Sequence, residues 1–266
     1  MIEEMVFLSE FIQAEFGITV PVAQHHTIAR KVPPVMVSNG LNSVQQLKQE
    51  CQNSKLLRQQ LINAMTVNET FFFRDKSLWA SLAENILRDC AEITKTSTHL
   101  RLLNCACSKG QEVYSLAMLL DEQRSLAHRQ VEIDALDIDT EVLNYAKNGC
   151  YTDLEMSRGL CDARKTRYFE HQDGCWQINK ELKSTIKFSR INLKSSFMLY
   201  KKYDLIFCRN VLIYFEASLK SEILERLAMH ANDQAYLIVG GSESLVGLTD
   251  KWRMQHVGAS VCYRKI

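Results

Sequence analysis

The stretch that decides the fold class is LRLLNCACSKGQEVYSLAMLL, residues 100–120. It begins with the short apolar run Leu100–Ala106, which predicts a buried strand, and a helical pattern follows Gly110. A strand followed by a helix is the unit from which parallel sheets are built, because parallel neighbours need a crossover connection. This stretch therefore indicates an α/β fold.

Further short apolar or mixed runs follow along the chain, and helical patterns separate several of them. The predicted strands are Leu100–Ala106, Val131–Leu136, Thr185–Ile191, Tyr203–Cys208 and Ala235–Val239. This alternation predicts a mostly parallel, doubly wound sheet, closed by one or two edge strands within Trp252–Arg264. Residues 152–184 do not fit the alternation. Because Gly174–Ile178 resembles one arm of a hairpin, we expect a small β-rich insertion there.

The N-terminal quarter has a different pattern. Met5, Leu8, Ile12 and Phe16 recur at helical spacing, and residues 1–66 show no convincing strand. We therefore predict an all-α N-terminal domain over residues 1–66, a linker over 67–75, and the α/β domain over 76–266.

Composition narrows the functional classes. The 266 residues are 46% hydrophobic, and 32 Lys and Arg nearly balance 31 Asp and Glu, so nucleic acid is not the expected partner. The acidic N-terminus and the absence of an apolar run of about 20 residues predict a cytoplasmic protein without membrane insertion.

The nine cysteines lack paired spacing, and we expect them to be reduced. Cys105 and Cys107 could bind a metal, but packing in a buried strand is favoured, and no metal is expected.

Ligands of open α/β sheets bind beyond the carboxyl ends of the strands. After the first predicted strand there is a single glycine, Gly110, where a dinucleotide fold would show three, so an NAD-dependent oxidoreductase is disfavoured. The second strand ends at Asp137, whose carboxylate can accept both hydroxyls of a ribose. The alternative is that Asp137 or Asp139 caps the helix that starts near Thr140, and for Asp139 that interpretation is favoured.

Two other segments combine polar and apolar residues. Arg209 and Asn210 interrupt an otherwise apolar run, and burial without partners would cost several kcal/mol, so protein or ligand must satisfy them. The segment Asn68–Asp75 places polar groups beside three consecutive aromatic residues. On their own, those aromatic residues would more often belong to a core.

These segments resemble the CheR family of chemotaxis receptor glutamate methyltransferases, and the resemblance extends over nearly the whole chain. Five blocks in order carry it: Asn68–Asp75, Cys107–Ala117, Asp137–Asp139, Cys208–Phe215 and Gly241–Leu245. The resemblance implies a Rossmann-like methyltransferase domain after the helical domain. It also implies S-adenosylmethionine as methyl donor, S-adenosylhomocysteine as product, and the cytoplasmic domain of a methyl-accepting receptor as partner.

The resemblance also implies site residues. The expected cofactor contacts are Asn68, Thr70, Arg74, Glu112, Asp137, Asn192, Leu193, Arg209 and Asn210. Arg74 and Tyr214 are the expected catalytic residues. Arg74 would either hold the carboxylate of the cofactor or orient the incoming glutamate, and Tyr214 would line the cleft and hydrogen-bond an acceptor oxygen. Because a glutamate of pKa about 4.3 is already ionised at neutral pH, no general base is needed. Tyr114 also matches a family block, although the favoured interpretation is that it packs the helix after Gly110.

The chain departs from the family pattern in two places. Gln111 and Val113 stand where the family has an acidic residue and a proline, a difference that leaves Glu112 in place. The second N-terminal helix of the family is rich in arginine. The corresponding segment of this chain, Ile28–Pro34, has the sequence IARKVPP and ends in two prolines. Two consecutive prolines are not expected within a regular helix. Two other functions remain possible: a non-catalytic S-adenosylmethionine-binding signalling module, and a methyltransferase acting on another protein or a small molecule.

Overall fold

The computed structural model describes residues 2–95, 97–123, 126–196 and 199–266. The N-terminal region consists of four helices, α1 Ile2–Phe16, α2 His25–Ser38, α3 Val44–Asn53 and α4 Lys55–Met65, with a short 3₁₀ turn at Val22–Gln24. Their apolar faces form a core of their own, which includes Leu8, Ile12 and Phe16 of α1. The N-terminal region is therefore helical, and Phe16, the last residue of α1, belongs to its core.

Helix α2 corrects one expectation from the sequence. It continues without interruption through Pro33 and Pro34. Both prolines are exposed, whereas Ile28 and Val32 are buried against the helical core. Because the prolines lie on the solvent side, water can satisfy the backbone carbonyls that they leave unpaired, and packing of the other face holds the helix together.

The linker leads into helix α5 Lys76–Ser81, which continues through a π-helical turn at Leu82–Ile86 into α6 Leu87–Ile93. The main sheet follows, with seven strands in the order β6-β2-β1-β7-β8-β10-β9. These strands are β1 His99–Cys105, β2 Gln130–Asp137, β6 Ile186–Arg190, β7 Tyr203–Cys208, β8 Ala231–Val239, β9 Trp252–Val257 and β10 Ser260–Lys265. The pairs among the first five strands are parallel, whereas β10 pairs antiparallel with β8 and β9.

The strand order confirms the doubly wound α/β fold. From β1 the chain first builds the sheet in one direction, through β2 and β6, and then crosses to the other side of β1 with β7. The crossover helices of the sheet include α7 Gln111–Glu122, α8 Thr140–Asn148 and α12 Ala217–Met229. Ligands of such folds bind where the strand order reverses, which here is between β1 and β7.

A small insertion stands between α8 and β6. Its three antiparallel strands are β3 Cys150–Tyr151, β4 Phe169–Gln172 and β5 Cys175–Ile178, accompanied by the short helices α9 Asp153–Met156, α10 Asp162–Tyr168 and α11 Lys180–Ser184. The hairpin arm predicted near Gly174 is strand β5.

The cysteines differ in part from the expectation. Cys150 and Cys175 form a disulfide that joins the beginning of β3 to the beginning of β5, so the prediction of reduced cysteines is wrong for this pair. The free cysteines of the described residues are buried except for Cys161. Cys105 and Cys107 are among the buried ones and lie at the end of β1 and just after it. No helix of the described chain is both long and apolar enough to cross a membrane.

Candidate functional site

A cleft opens at the carboxyl ends of β1, β2 and β7, at the switch point of the sheet. All ten residues predicted for the site line it: Asn68, Thr70, Arg74, Glu112, Asp137, Asn192, Leu193, Arg209, Asn210 and Tyr214. They come from the linker, from the strand ends and from the loops after them. The fold therefore gathers into one cleft residues that span almost 150 positions of the chain.

Asp137 ends β2 at the bottom of this cleft and is 7% exposed. Its Oδ2 accepts a hydrogen bond from the backbone N–H of Ser108 at 2.8 Å, and its Oδ1 accepts one from the N–H of Asp139 at 2.9 Å. Burial raises the pKa of Asp137, and these two N–H donors act in the opposite direction. An ionised carboxylate has about four acceptor positions, so two remain for the hydroxyls of a ligand.

Asp139, unlike Asp137, has a structural role at the start of α8. It is the N-cap of α8, and its Oδ1 accepts the backbone N–H groups of Glu141 at 2.9 Å and Val142 at 3.3 Å. Its Oδ2 accepts hydrogen bonds from the side chains of Thr66 at 2.7 Å and Asn68 at 2.8 Å. The capping interpretation of Asp139 is thus confirmed, and the same side chain ties the linker to the sheet.

Arg209 follows β7 and is buried, with 1% of its side chain exposed. Its guanidinium donates to Glu112 Oε2 at 2.5 Å and to a carboxylate oxygen of Asp75. The other carboxylate oxygen of Glu112 accepts a hydrogen bond from Asn104 at 2.8 Å. The protein itself thus supplies two carboxylate partners for this buried arginine, although its Nε has no hydrogen-bond partner among the described residues.

Glu243 does not line the cleft but binds the backbone of two residues that do, and the sequence assigned it no role. Its carboxylate accepts the backbone N–H groups of Asn210 at 2.7 Å, Val211 at 3.0 Å and Gly240 at 2.6 Å. Gly240 has no room for a side chain, because a Cβ there would lie 2.6 Å from Asn210 Nδ2. Glu243 thus fixes the loop after β7. Its position within the fifth family block was the available signal.

The outer part of the cleft carries Glu69, Arg74 and Tyr214. Arg74 is half-buried and donates to the backbone carbonyl of Glu69 at 3.3 Å, while its Cζ lies 5.7 Å from the ring centre of Phe71. Burial raises the pKa of Tyr214, and the positive charge of Arg74 partly opposes this rise. The phenol is therefore a neutral hydrogen-bond donor at neutral pH, next to a permanent cation.

One wall of the cleft comes from the N-terminal helical region. Phe16 and Ile18 line the cleft, and the backbone N–H of Thr19 donates to the carbonyl of Tyr214 at 2.8 Å. Lys194, next to the predicted Leu193, donates to carbonyls near the end of α1. The sequence did not predict this wall, because apolar residues at helical spacing look the same in a core and in a cleft.

Two further sequence interpretations concern packing. The Tyr114 side chain is fully buried and its hydroxyl donates to the carbonyl of Ala146 at 2.8 Å, so this residue packs α7 against α8.

Across the described ranges, no group of three or more His, Cys, Asp or Glu side chains could hold a metal ion. Burial raises the pKa of the Cys107 thiol well above its ordinary value, so this thiol is not poised for ligation or attack.

Comparison with known proteins agrees with this geometry. Residues 68–261 match the family described as CheR methyltransferase, SAM binding domain. The chemotaxis protein methyltransferase of Vibrio anguillarum is 34% identical over 262 residues, which cover 96% of this chain and 94% of the relative. Chemotaxis protein methyltransferase 1 of Pseudomonas aeruginosa is 34% identical over 260 residues, with the same shares. The chain therefore belongs to the CheR methyltransferase family, and its cofactor is S-adenosylmethionine.

Proposed function

We propose that this enzyme transfers a methyl group from S-adenosylmethionine to glutamate side chains in the cytoplasmic domain of a methyl-accepting chemotaxis-type receptor. The products would be a glutamate methyl ester and S-adenosylhomocysteine. The observation that carries the proposal is the pairing of Arg74 and Tyr214 at the outer part of a cleft that also contains Asp137. A guanidinium and a neutral phenol are donors that suit an incoming carboxylate.

The inner residues fit the cofactor. Asp137 has acceptor positions left for the two ribose hydroxyls. Ile138, Ile191 and Phe16 offer apolar surface for the adenine ring. Glu112 can accept hydrogen bonds from the ammonium group of the methionine part. Binding of the carboxylate of that part is the alternative role of Arg74. Asn68, Thr70, Asn192, Leu193, Arg209 and Asn210 complete the proposed cofactor contacts.

The chemistry asks little of the protein beyond positioning. When bound, S-adenosylmethionine would supply an electrophilic methyl group on a positively charged sulfur for transfer to a carboxylate oxygen of the acceptor. Because the acceptor is ionised at neutral pH, Arg74 and Tyr214 need to orient it and exclude water, not remove a proton. Strong neutralisation of that oxygen would reduce its nucleophilicity.

The experiment is a transfer assay with methyl-labelled S-adenosylmethionine and receptor-containing membranes from the source organism. We expect label on the receptor that is released as methanol by mild base, since a carboxyl ester is base-labile. Label that resists mild base would indicate a nitrogen acceptor and contradict the proposal. Tight cofactor binding with no transfer to any protein of the membranes would favour the non-catalytic signalling module.

A further inference from the structure

We propose that Arg158 determines acceptor specificity by binding a second carboxylate of the methyl-accepting segment, next to the glutamate that is methylated. This inference rests on the proposed function and assigns a substrate contact to the insertion. Arg158 lies between α9 and α10, outside the cleft that Arg74 and Tyr214 line. The preferred acceptor is then a segment in which the methylated glutamate has an acidic neighbour.

The first argument is the placement of two arginines on one aromatic ring. The Cζ atom of Arg74 lies 5.7 Å from the ring centre of Phe71, and that of Arg158 lies 4.6 Å from the same centre. The distance between the two Cζ atoms is therefore at most the sum of these two distances. Residues three or four positions apart on a helix have Cβ atoms about 5–6 Å apart, and flexible acidic side chains can span the rest.

The second argument is that backbone packing fixes Arg158 relative to Arg74. Gly159 has φ +84°, and a Cβ there would lie 1.7 Å from the carbonyl oxygen of Phe72. Only glycine permits so close an approach of the insertion to the linker. The ring of Phe72 in turn packs edge-on against Tyr151 and Phe169 of the insertion, with ring centres 5.0 and 5.5 Å away.

The third argument is that the fork of Arg158 is available. Within the described residues it forms an ion pair with Glu69, at 3.7 Å between Nη2 and Oε1. This distance is longer than a hydrogen bond, and the two side chains are 51% and 67% exposed. Such an exposed pair contributes little to stability. Arg164 of the same insertion is different, since it binds Glu122 through two hydrogen bonds of 2.9 and 2.7 Å.

Glu69 therefore holds Arg158 loosely in a position that an acceptor carboxylate can take over. A second acidic group on the acceptor would displace Glu69 from Arg158 and gain a bidentate partner.

The test measures methyl transfer to the purified cytoplasmic domain of a receptor from the source organism, after mass spectrometry has located the methylated glutamates. We expect Arg158→Gln to raise KM for this domain about three- to tenfold, with kcat and cofactor affinity unchanged. The increase should shrink with rising salt, because the contact is exposed. Arg158→Lys should recover part of the loss. The matched control is Arg253→Gln, an exposed arginine on edge strand β9, which should change nothing.

The second arm changes the acceptor. Replacing the acidic neighbours of a methylated glutamate with glutamine should raise KM for the native enzyme and have no further effect on Arg158→Gln, because the two changes remove the same contact. Additive effects, or an unchanged KM for Arg158→Gln, would overturn the inference while leaving the proposed function intact. A loss of cofactor affinity in Arg158→Gln would assign it a structural role. Absence of methyl ester with the native enzyme would overturn the proposed function, and this inference with it.

Discussion

The inner and outer parts of the cleft differ in how far their charged side chains are already paired with other groups of the protein. The inner part, Asp137, Glu112 and Arg209, is buried, and each of its charges already has protein partners at hydrogen-bonding distance. The outer part, Glu69, Arg74 and Tyr214, is more exposed, and Arg74 makes one long hydrogen bond to a carbonyl. This difference suits an invariant cofactor, which a rigid site can match, and a protein acceptor, which needs donors that are still available.

Replacement of Arg209 tests the rigidity of the inner part and should have the largest effect. In Arg209→Met, Glu112 and Asp75 lose the cation between them, and breaking a buried ion pair costs about 3–5 kcal/mol in unfolding free energy. We expect the lower end of this range, because the Asp75 side chain is 50% exposed. Urea unfolding measures the loss. Arg253→Met on β9 is the control. A loss of unfolding free energy below about 1 kcal/mol in Arg209→Met would show that the inner carboxylates do not need this cation.

Arg74→Lys tests the outer part. The lysine keeps the charge but loses the planar fork, so the acceptor carboxylate would be misplaced. A displacement of about 1 Å at a reacting group can cost on the order of a hundredfold in rate. We expect kcat to fall by about that factor and cofactor affinity, measured by calorimetry, to fall less. Equal losses of both would place Arg74 on the cofactor carboxylate instead, and full activity would exclude both roles.

Local signals in the sequence predicted Asp137 and Arg209 of the inner part, whereas Glu112 was predicted from the resemblance to the family. Each predicted strand is an apolar run, and the residues after β1, β2 and β7 meet at one edge whatever their separation along the chain. Asp139 was identified as a cap from its place before α8. The partners of Arg209 were not predictable, since Glu112 and Asp75 lie 97 and 134 positions away.

The misjudged features depend on tertiary packing. Helix α2 accommodates Pro33 and Pro34 because its other face is buried in the helical core. Cys150 and Cys175 are paired because the small sheet brings them within 5.7 Å between Cα atoms, although 25 positions separate them. Local propensity says nothing about either arrangement.

Asp137→Ala should weaken cofactor binding without reducing turnover under saturation. Losing a charge-assisted acceptor costs about 1.5–3 kcal/mol, so the affinity for S-adenosylmethionine and S-adenosylhomocysteine should fall roughly tenfold to a hundredfold. Calorimetry on the folded variant measures both. Unchanged affinity would remove Asp137 from the ribose site.

The pH dependence offers a second readout on the same residue. Because burial raises the pKa of Asp137, the carboxyl takes up a proton at a higher pH than an ordinary aspartate does. Affinity for S-adenosylhomocysteine should therefore decline as pH falls through this raised pKa, and the decline should begin at a higher pH than for an ordinary aspartate. Asp137→Asn should lack that decline. If the affinity declines equally at low pH in the native protein and in Asp137→Asn, the decline comes from the titration of another group.

Tyr214→Phe should have the smallest effect, because a tyrosine that only orients the acceptor contributes one neutral hydrogen bond. Loss of such a bond costs about 0.5–1.5 kcal/mol, so we expect kcat to fall roughly twofold to tenfold, with cofactor affinity unchanged. Since burial raises the pKa of Tyr214 above its ordinary value of 10.0, the hydroxyl stays protonated and the native rate should be flat from about pH 7 to 9. Formation of S-adenosylhomocysteine is the suitable measurement, because methyl esters hydrolyse in base. A native rate that declines across this range, while Tyr214→Phe stays flat, would show that the phenol ionises and that its proton takes part in the reaction.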